Sequence, residues 1–258
     1  MPRIILASKS PRRLELLSMT GLSFEVITSH VDEDAVEASV LAKYRNEAIR
    51  ADMYQIAEDV ACAQARAKAE AVLKIVSAAG TNTEVSPAED IIVIGSDTVV
   101  VTEDEILGKP KDEADARRML TKLSGRTHRV YTGVAILKER AGGDGRSGSN
   151  ESGCSNEGGC SSEIGRKNEI GRSNQIGRTY DLQSRCFSAL ADVKFHKLDA
   201  LQEKEIDRYI AGGSPMDKAG AYGIQDEGAL LIDSIAGDYY AVVGLPIARV
   251  SRELRKLL

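Results

Sequence analysis

No stretch of this sequence approaches the roughly 18 to 20 consecutive apolar residues of a membrane-spanning helix, and no secretory-signal pattern follows Met1. The expected setting is cytoplasmic. Positive charge is also short: 34 Lys and Arg against 39 Asp and Glu leave a net charge of −5. No overall basic field exists to drive nucleic-acid binding, so any anion recognition must be local. Histidine is scarce, and His30, His128 and His196 are too scattered to argue for a metal cluster. Cysteine is scarce too. Cys62 sits in a helical pattern, Cys186 in a strand pattern, and Cys154 and Cys160 in a Gly/Ser-rich stretch. A Cys-x5-Cys spacing without a nearby histidine is a poor zinc signature, and a cytosolic setting disfavours disulfides. What remains is 42% hydrophobic and 28% charged in 258 residues. That is the composition of a soluble globular protein, with length for one large domain or two small ones.

The most informative junction lies near the start, where the apolar run Arg3-Ile4-Ile5-Leu6-Ala7 breaks into Ser8-Lys9-Ser10-Pro11-Arg12-Arg13 and then Leu14-Glu15-Leu16-Leu17. Ser10 reads as an N-cap and Pro11 as the first helical residue, since proline has no N–H to lose there. Arg12 and Arg13 then occupy a first turn whose dipole favours anions, a placement costing about 0.3 to 1 kcal/mol per exposed cation. Strand, Ser8-containing loop and helix N-terminus with two guanidinium groups form a candidate phosphate cradle. A solvated basic turn is the plainer alternative.

Further along, a strand is expected at Ser23 to Thr28 and a long helical stretch at 40 to 79, closed by Gly80 before a loop from Thr81 to Asp90. Ile91 to Ile94 reads as a short strand bounded by Gly95. Val99 to Val101 reads as a second one, hairpinned through Thr102 to Glu105 into Ile106 to Pro110. Asp112 caps a helix to about Leu123, with Asp115 as a capping-box variant and Gly125 as the stop. Thr127 to Leu137 and Ser184 to Phe195 alternate as paired strands. Between them, residues 139–180 contain 10 Gly, 7 Ser and 4 Asn among 42 positions. Half the segment therefore cannot build a core. Its three Ile-Gly-Arg units of period six are too few for a solenoid, and it reads as a disordered or loosely ordered insertion into a single domain spanning 1–258. Asp199 caps a helix to about Ile210, stopped by Gly212-Gly213. Strands at Ala229 to Ile235 and Tyr239 to Val243, then a helix opened by Pro246, complete an α/β chain.

Asp97, in Gly95-Ser96-Asp97-Thr98, follows an apolar strand, where open α/β sheets place their active sites, and is a candidate base or metal ligand. A turn aspartate bonded to its own backbone is the alternative. Asp32-Glu33-Asp34 can supply oxygen ligands for a hard divalent cation, or be a solvated loop. Lys68, Lys109 and Lys218 offer complementary charge, the last two in loops where backbone can approach a ligand. Gln225 carries an amide able to read a base edge.

The segment Ile5 to Leu17 closely resembles the opening signature of the Maf family of nucleoside triphosphate pyrophosphatases. Further matches follow in order: Asp32-Glu33, Lys68-Ala69, Gly95 to Val100, Gly108-Lys109-Pro110, Leu123 to Val130, Asp217 to Gln225, and Val243 to Pro246. This resemblance implies a mixed, elongated α/β sheet with flanking helices and two lobes around a cleft. It also implies hydrolysis of a nucleoside triphosphate to monophosphate and pyrophosphate, with Mg²⁺ or Mn²⁺. By the same resemblance Asp97 is the general base and Glu33 a metal partner. Ser8, Arg13, Lys68, Lys109 and Lys218 contact phosphates, and Arg12, Thr98 and Gln225 set base preference. The Ala219-Gly220-Ala221-Tyr222-Gly223-Ile224-Gln225 form is similar to the subgroup acting on dTTP and UTP. A homodimer fits the family, with no membrane or nucleic-acid partner. Asp226-Glu227 departs from the glycine that usually follows the glutamine, adding negative charge beside the base-reading loop. Rivals are pyrophosphatases of 7-methyl-GTP or of inosine and xanthosine triphosphates, and a non-catalytic nucleotide-binding regulator of cell division.

Overall fold

A computed structural model describes residues 2–28, 30–45, 51–79, 89–140, 167–175 and 178–258. Its frame is one eight-stranded mixed sheet. Strand β1 (Arg3–Leu6) lies parallel to both β2 (Glu25–Val26) and β3 (Ile91–Val101). Antiparallel pairing then continues from β3 through β5 (Thr127–Arg140) and β7 (Arg178–Phe195) to β6 (Lys167–Gln175). The short β4 (Ile106–Leu107) pairs with the end of β3, and β8 (Ile232–Gly237) with the end of β7.

Alternation along the strands sends side chains to two faces. Ile4, Leu6, Ile92 and Ile94 pack with α1 (Pro11–Ser18) and α7 (Ile247–Arg255), whereas Ile5 and Val93 pack under α3 (Met53–Ala79). Farther along β3, Val100 joins α4 (Glu113–Leu123) and α5 (Ala200–Ala211), while Val99 and Val101 face α3 and α2 (Glu33–Tyr44). On the face opposite α3, two apolar clusters therefore sit at the two ends of β3 and β5, with the polar Ser96, Thr98 and Thr132 between them. Those clusters are the cores of two lobes.

Several local expectations hold for local reasons. Pro11 opens α1, although Ser10 makes no side-chain cap. Its own N–H instead donates to Ser8 Oγ at 3.2 Å. Asp112 and Asp199 cap α4 and α5 by accepting backbone N–H bonds, and Gly125 and Gly213 adopt positive φ where their helices end. Asp115 completes the capping-box variant by accepting from Lys111 N–H rather than from the cap itself.

Other expectations change. The stretch read as one helix over 40–79 is two, and the first begins seven residues earlier, at Glu33, because Asp32 accepts from Ala35 N–H and two acids complement the first-turn dipole. Tyr239–Val243 is a helical turn, α6, rather than a strand, since Asp238 caps it through Tyr240 and Ala241 N–H. Before β8, Glu227–Leu231 forms a 3-10 turn instead of extending the strand. Gly80 and most of the expected loop at 81–90 lie outside the described residues, as do residues 141–166 of the insertion. The segment Lys167–Gln175, also within the insertion, pairs with β7.

β3 differs most. The two short strands are one continuous strand, and Gly95 is not a turn. It lies where α3 crosses the sheet: a Cβ there would stand 2.1 Å from Ala65 O and 2.9 Å from Ala69 N. Gly133, on β5, meets Ala61 O at 2.3 Å in the same way. Backbone cannot yield as a side-chain tip can. Gly95→Ala and Gly133→Ala should each lower the unfolding free energy by about 1 to 3 kcal/mol, the usual range for overpacking, in urea denaturation. A loss within about 0.3 kcal/mol, near the scatter of such measurements, would show that α3 is not seated this closely.

Candidate active site

On its β1 side, β3 is paired only as far as Ile94, and β4 resumes pairing at Val100. Gly95 to Val99 thus form a gap in the sheet between two neighbouring strands. A cavity of about 750 Å³ opens there, lined by the start of α1, the start of α2, the middle of α3, the loop after β4 and residues 217–224. This corrects the expected setting of Asp97. It stands mid-strand, not after a strand end, and is reachable because β1 stops short of it. Adjacent residues of β3 face opposite ways, so Asp97 turns toward α3 and Thr98 toward α1.

Lys68 projects from α3 into the gap. Its Nζ lies 2.5 Å from Asp97 Oδ1 and 2.7 Å from Glu33 Oε1, with 16% of its side chain exposed. Lys109, on the loop after β4, approaches Glu33 Oε2 at 3.8 Å and keeps 60% of its side chain exposed. Burial works against a charged Glu33, but the hydrogen bond and charge of Lys68, joined by the charges of Lys109 and Arg13, hold its carboxyl below the usual range. Glu37, one turn along α2, lines the same cavity. Burial and the charges of Asp34 and Asp97 push its carboxyl upward.

The two arginines of α1 part company. Arg13 turns inward, its Nε donating to Gly244 O at 2.8 Å and its Nη2 to Thr98 Oγ1 at 3.0 Å. Burial lowers its pKa. Arg12 remains at the cavity wall, 3.9 Å from Asp217 Oδ2 with 32% of its side chain exposed. Thr98 Oγ1 also meets Thr132 Oγ1 at 2.9 Å, so its hydroxyl serves an internal network. Ser8 lines the cavity and is nearly buried. Lys218 lines it too, but its Nζ is paired with Asp217 at 2.8 Å and Asp226 at 3.1 Å. Gln225 is exposed and outside the cavity lining, whereas Ile224 lies within it. Asp226 is turned inward, and its charge therefore does not face the cavity as the sequence suggested.

Among residues the sequence reading passed over are Glu37, Gln64 and Tyr222. Gln64 is nearly buried, and its Nε2 donates to Glu33 O at 3.5 Å. The signal was spacing, since Glu33 and Glu37, like Gln64 and Lys68, stand four apart on one helix face. Tyr222 is set by an aromatic cluster: its ring meets Phe195 and His128 edge-on, and its hydroxyl lies 2.8 Å from His128 Nε2.

A match to the model of the Maf-like proteins covers residues 3–156 and 176–257. The chain belongs to the Maf-like family. The gap in that match, 157–175, falls inside the insertion. A dTTP/UTP pyrophosphatase of Agathobacter rectalis is 41% identical over 259 aligned positions, covering 100% of this chain and 98% of the relative. Proteins of the same name from Bacillus thuringiensis subsp. konkukian and Bacillus cereus strain ZK are 37% and 38% identical, each over 99% of this chain and 96% of the relative. Like the family expectation, the fold is a mixed α/β sheet with flanking helices. Among the described residues, no helix is long and apolar enough to cross a membrane.

His128 supplies a pH test of this wall. Burial lowers its pKa from 6.5 to about 3, so it stays neutral in the fold while the unfolded chain takes up a proton below pH 6.5. Its contribution to stability is complete above about pH 6.5 and is lost progressively toward pH 3, as expected for a group held neutral. His128→Gln should therefore show a shallower acid-side loss of stability than the parent in urea melts across that window. Equal slopes would show that His128 is not held neutral.

Proposed function

We propose that this chain hydrolyses dTTP and UTP to the nucleoside monophosphate and pyrophosphate. The chemistry rests on the Lys68 ammonium, held between Glu33 and Asp97 at the gap in the sheet beside β3. The names of the full-length relatives support the substrate. A triphosphate needs cations near its β and γ groups, and Arg12 and Lys109 reach the cavity with exposed ends. Arg13 braces α1 against β3 and adds field from behind them.

The donor set suits a small hard cation. Glu33 and Asp97 each give one carboxylate oxygen to Lys68 Nζ and keep the other, and no group of three or more His, Cys, Asp or Glu able to hold a metal ion occurs among the described residues. Such a two-carboxylate site is completed by substrate phosphates and water, as Mg²⁺ commonly is. Glu33 and Asp97 would hold Mg²⁺ or Mn²⁺, which supplies charge neutralisation to the phosphates.

In this reading Lys68 engages Asp97 through Oδ1, leaving Oδ2 to orient a water and take its proton as the water attacks the α-phosphorus. The α-phosphorus–oxygen bond to the β-phosphate breaks, and pyrophosphate leaves with its charge balanced by Arg12 and Lys109. Tyr222 and Ile224 offer the apolar wall against which a base can lie. The resemblance extends the reading to a cytoplasmic homodimer, a part resting on the family alone. A net charge of −5 argues against nucleic acid as the partner.

Asp97→Asn should lower pyrophosphate release by about 10²- to 10⁴-fold, the usual worth of a general base, while far-UV circular dichroism stays unchanged. A panel of dTTP, UTP, dCTP, dITP, XTP and 7-methyl-GTP, scored for pyrophosphate against orthophosphate, should show dTTP and UTP preferred. Near-normal turnover by the variant would remove Asp97 as base, and orthophosphate as the product would make the protein a phosphatase.

A further inference from the structure

Asp226, just outside the cavity lining, is committed to neighbours through both carboxylate oxygens. Its Oδ1 accepts from Tyr209 Oη at 3.0 Å and from Gly228 N–H at 2.9 Å. Its Oδ2 accepts from Ser214 Oγ at 2.8 Å and pairs with Lys218 Nζ at 3.1 Å. Tyr209 Oη in turn accepts from Gly223 N–H at 3.0 Å. The Lys218 ammonium also donates to Ser214 O and pairs with Asp217. One carboxylate thereby joins α5, the 3-10 turn at Ser214–Asp217, and both ends of the segment 217–224 that walls the cavity.

That segment does not hold its shape unaided. Ala221 has φ of 62°, a conformation an L-residue with a side chain rarely adopts, and Gly220, at φ 69°, is pressed against Val100. A Cβ at Gly223 would stand 2.7 Å from Lys218 Cε and 2.8 Å from Asp226 Oδ2. Backbone and carboxylate are thus in direct packing contact beneath the wall. The side opposite Asp226 is fixed by Tyr222 against His128 and Phe195.

We infer that Asp226 is a positioning residue for substrate discrimination. Through Tyr209, Ser214 and Lys218 it fixes Tyr222, Gly223 and Ile224 as a rigid wall, so that a nucleobase is selected by fit rather than by a mobile loop. Lys218 then acts chiefly as the counter-ion of that wall. The inference rests on the nucleotide-hydrolysing reading above and adds a residue that does not touch the reacting atoms. Water at the α-phosphorus is assigned to Asp97 on β3, which takes no part in the Asp226 network, so loosening the wall should weaken and blur binding with little change in the chemical step.

The test compares the full chain with Asp226→Asn and Tyr209→Phe, reading kcat and KM for dTTP and dCTP and direct binding of the non-hydrolysable α,β-imido analogue of dTTP by calorimetry. Asp226→Asn should raise KM for dTTP about tenfold, cut the dTTP-over-dCTP preference in kcat/KM at least about fivefold, and leave kcat within about threefold. Tyr209→Phe should move the same quantities less. Thermal melts show that each variant is folded. Unchanged KM and preference in Asp226→Asn would overturn the inference, as would an equal fall in kcat for every substrate with KM constant. A parent that binds the imido analogue yet releases no pyrophosphate would overturn the catalytic reading alone, and the loss of analogue binding in Asp226→Asn would then still decide the role of the wall. A parent that binds no nucleotide overturns both.

Discussion

An ammonium held between two carboxylates organises this molecule. Lys68 comes from α3, Asp97 from β3 and Glu33 from the first turn of α2, so a single cation ties three separate elements to one point. Without that cation two carboxylates drawn toward one point would repel. With Lys68 between them, Glu33 is kept ionised at the mouth of the cavity. The position of Lys68 depends in turn on how closely α3 lies on the sheet, and that closeness requires glycine at 95 and 133. A packing constraint in the core therefore sets the geometry of the charges.

The same strand explains why a site exists here at all. β3 runs through both lobes, but β1 accompanies it only to Ile94 and β4 rejoins it only at Val100. Of the residues between those limits, Asp97, Thr98 and Val99 keep β5 on one side and line the cavity on the other. A strand flanked throughout would close Asp97 and Thr98 off from the cavity they now line. Around the gap, cations from α1 and the β4 loop meet acids from α2. An anionic chain with no basic field overall can in this way hold a strongly anionic substrate, because the positive groups are concentrated where the sheet opens.

Much of this was legible from sequence where the determinants are local. Pro11, Asp112, Asp199 and Gly213 mark helix ends through their own dihedral and hydrogen-bonding chemistry, and the structure has them there. Gly95 misled for the opposite reason. Read as punctuation it divides β3, whereas its meaning is contact with Ala65 and Ala69, 30 and 26 positions earlier in the chain. Tyr239–Val243 has the composition of a strand, yet the Asp238 cap makes it a helical turn. For the site, motif order pointed to Asp97, Lys68, Glu33 and Lys109, which do converge, while Arg13 and Thr98 are bonded to each other and to Gly244 and Thr132. Asp226 could not be read correctly from sequence, since its partners Tyr209 and Ser214 are brought to it only by the fold.

In the proposed reaction Asp97, at the gap beside β3, directs water to the α-phosphorus. Turnover of dTTP in ¹⁸O-labelled water, followed by ³¹P NMR of the products, tests it most directly. The isotope should appear in the nucleoside monophosphate, with unlabelled pyrophosphate beside it. Label in the pyrophosphate, or in released orthophosphate, would place the attack on a different phosphorus and rule that reaction out.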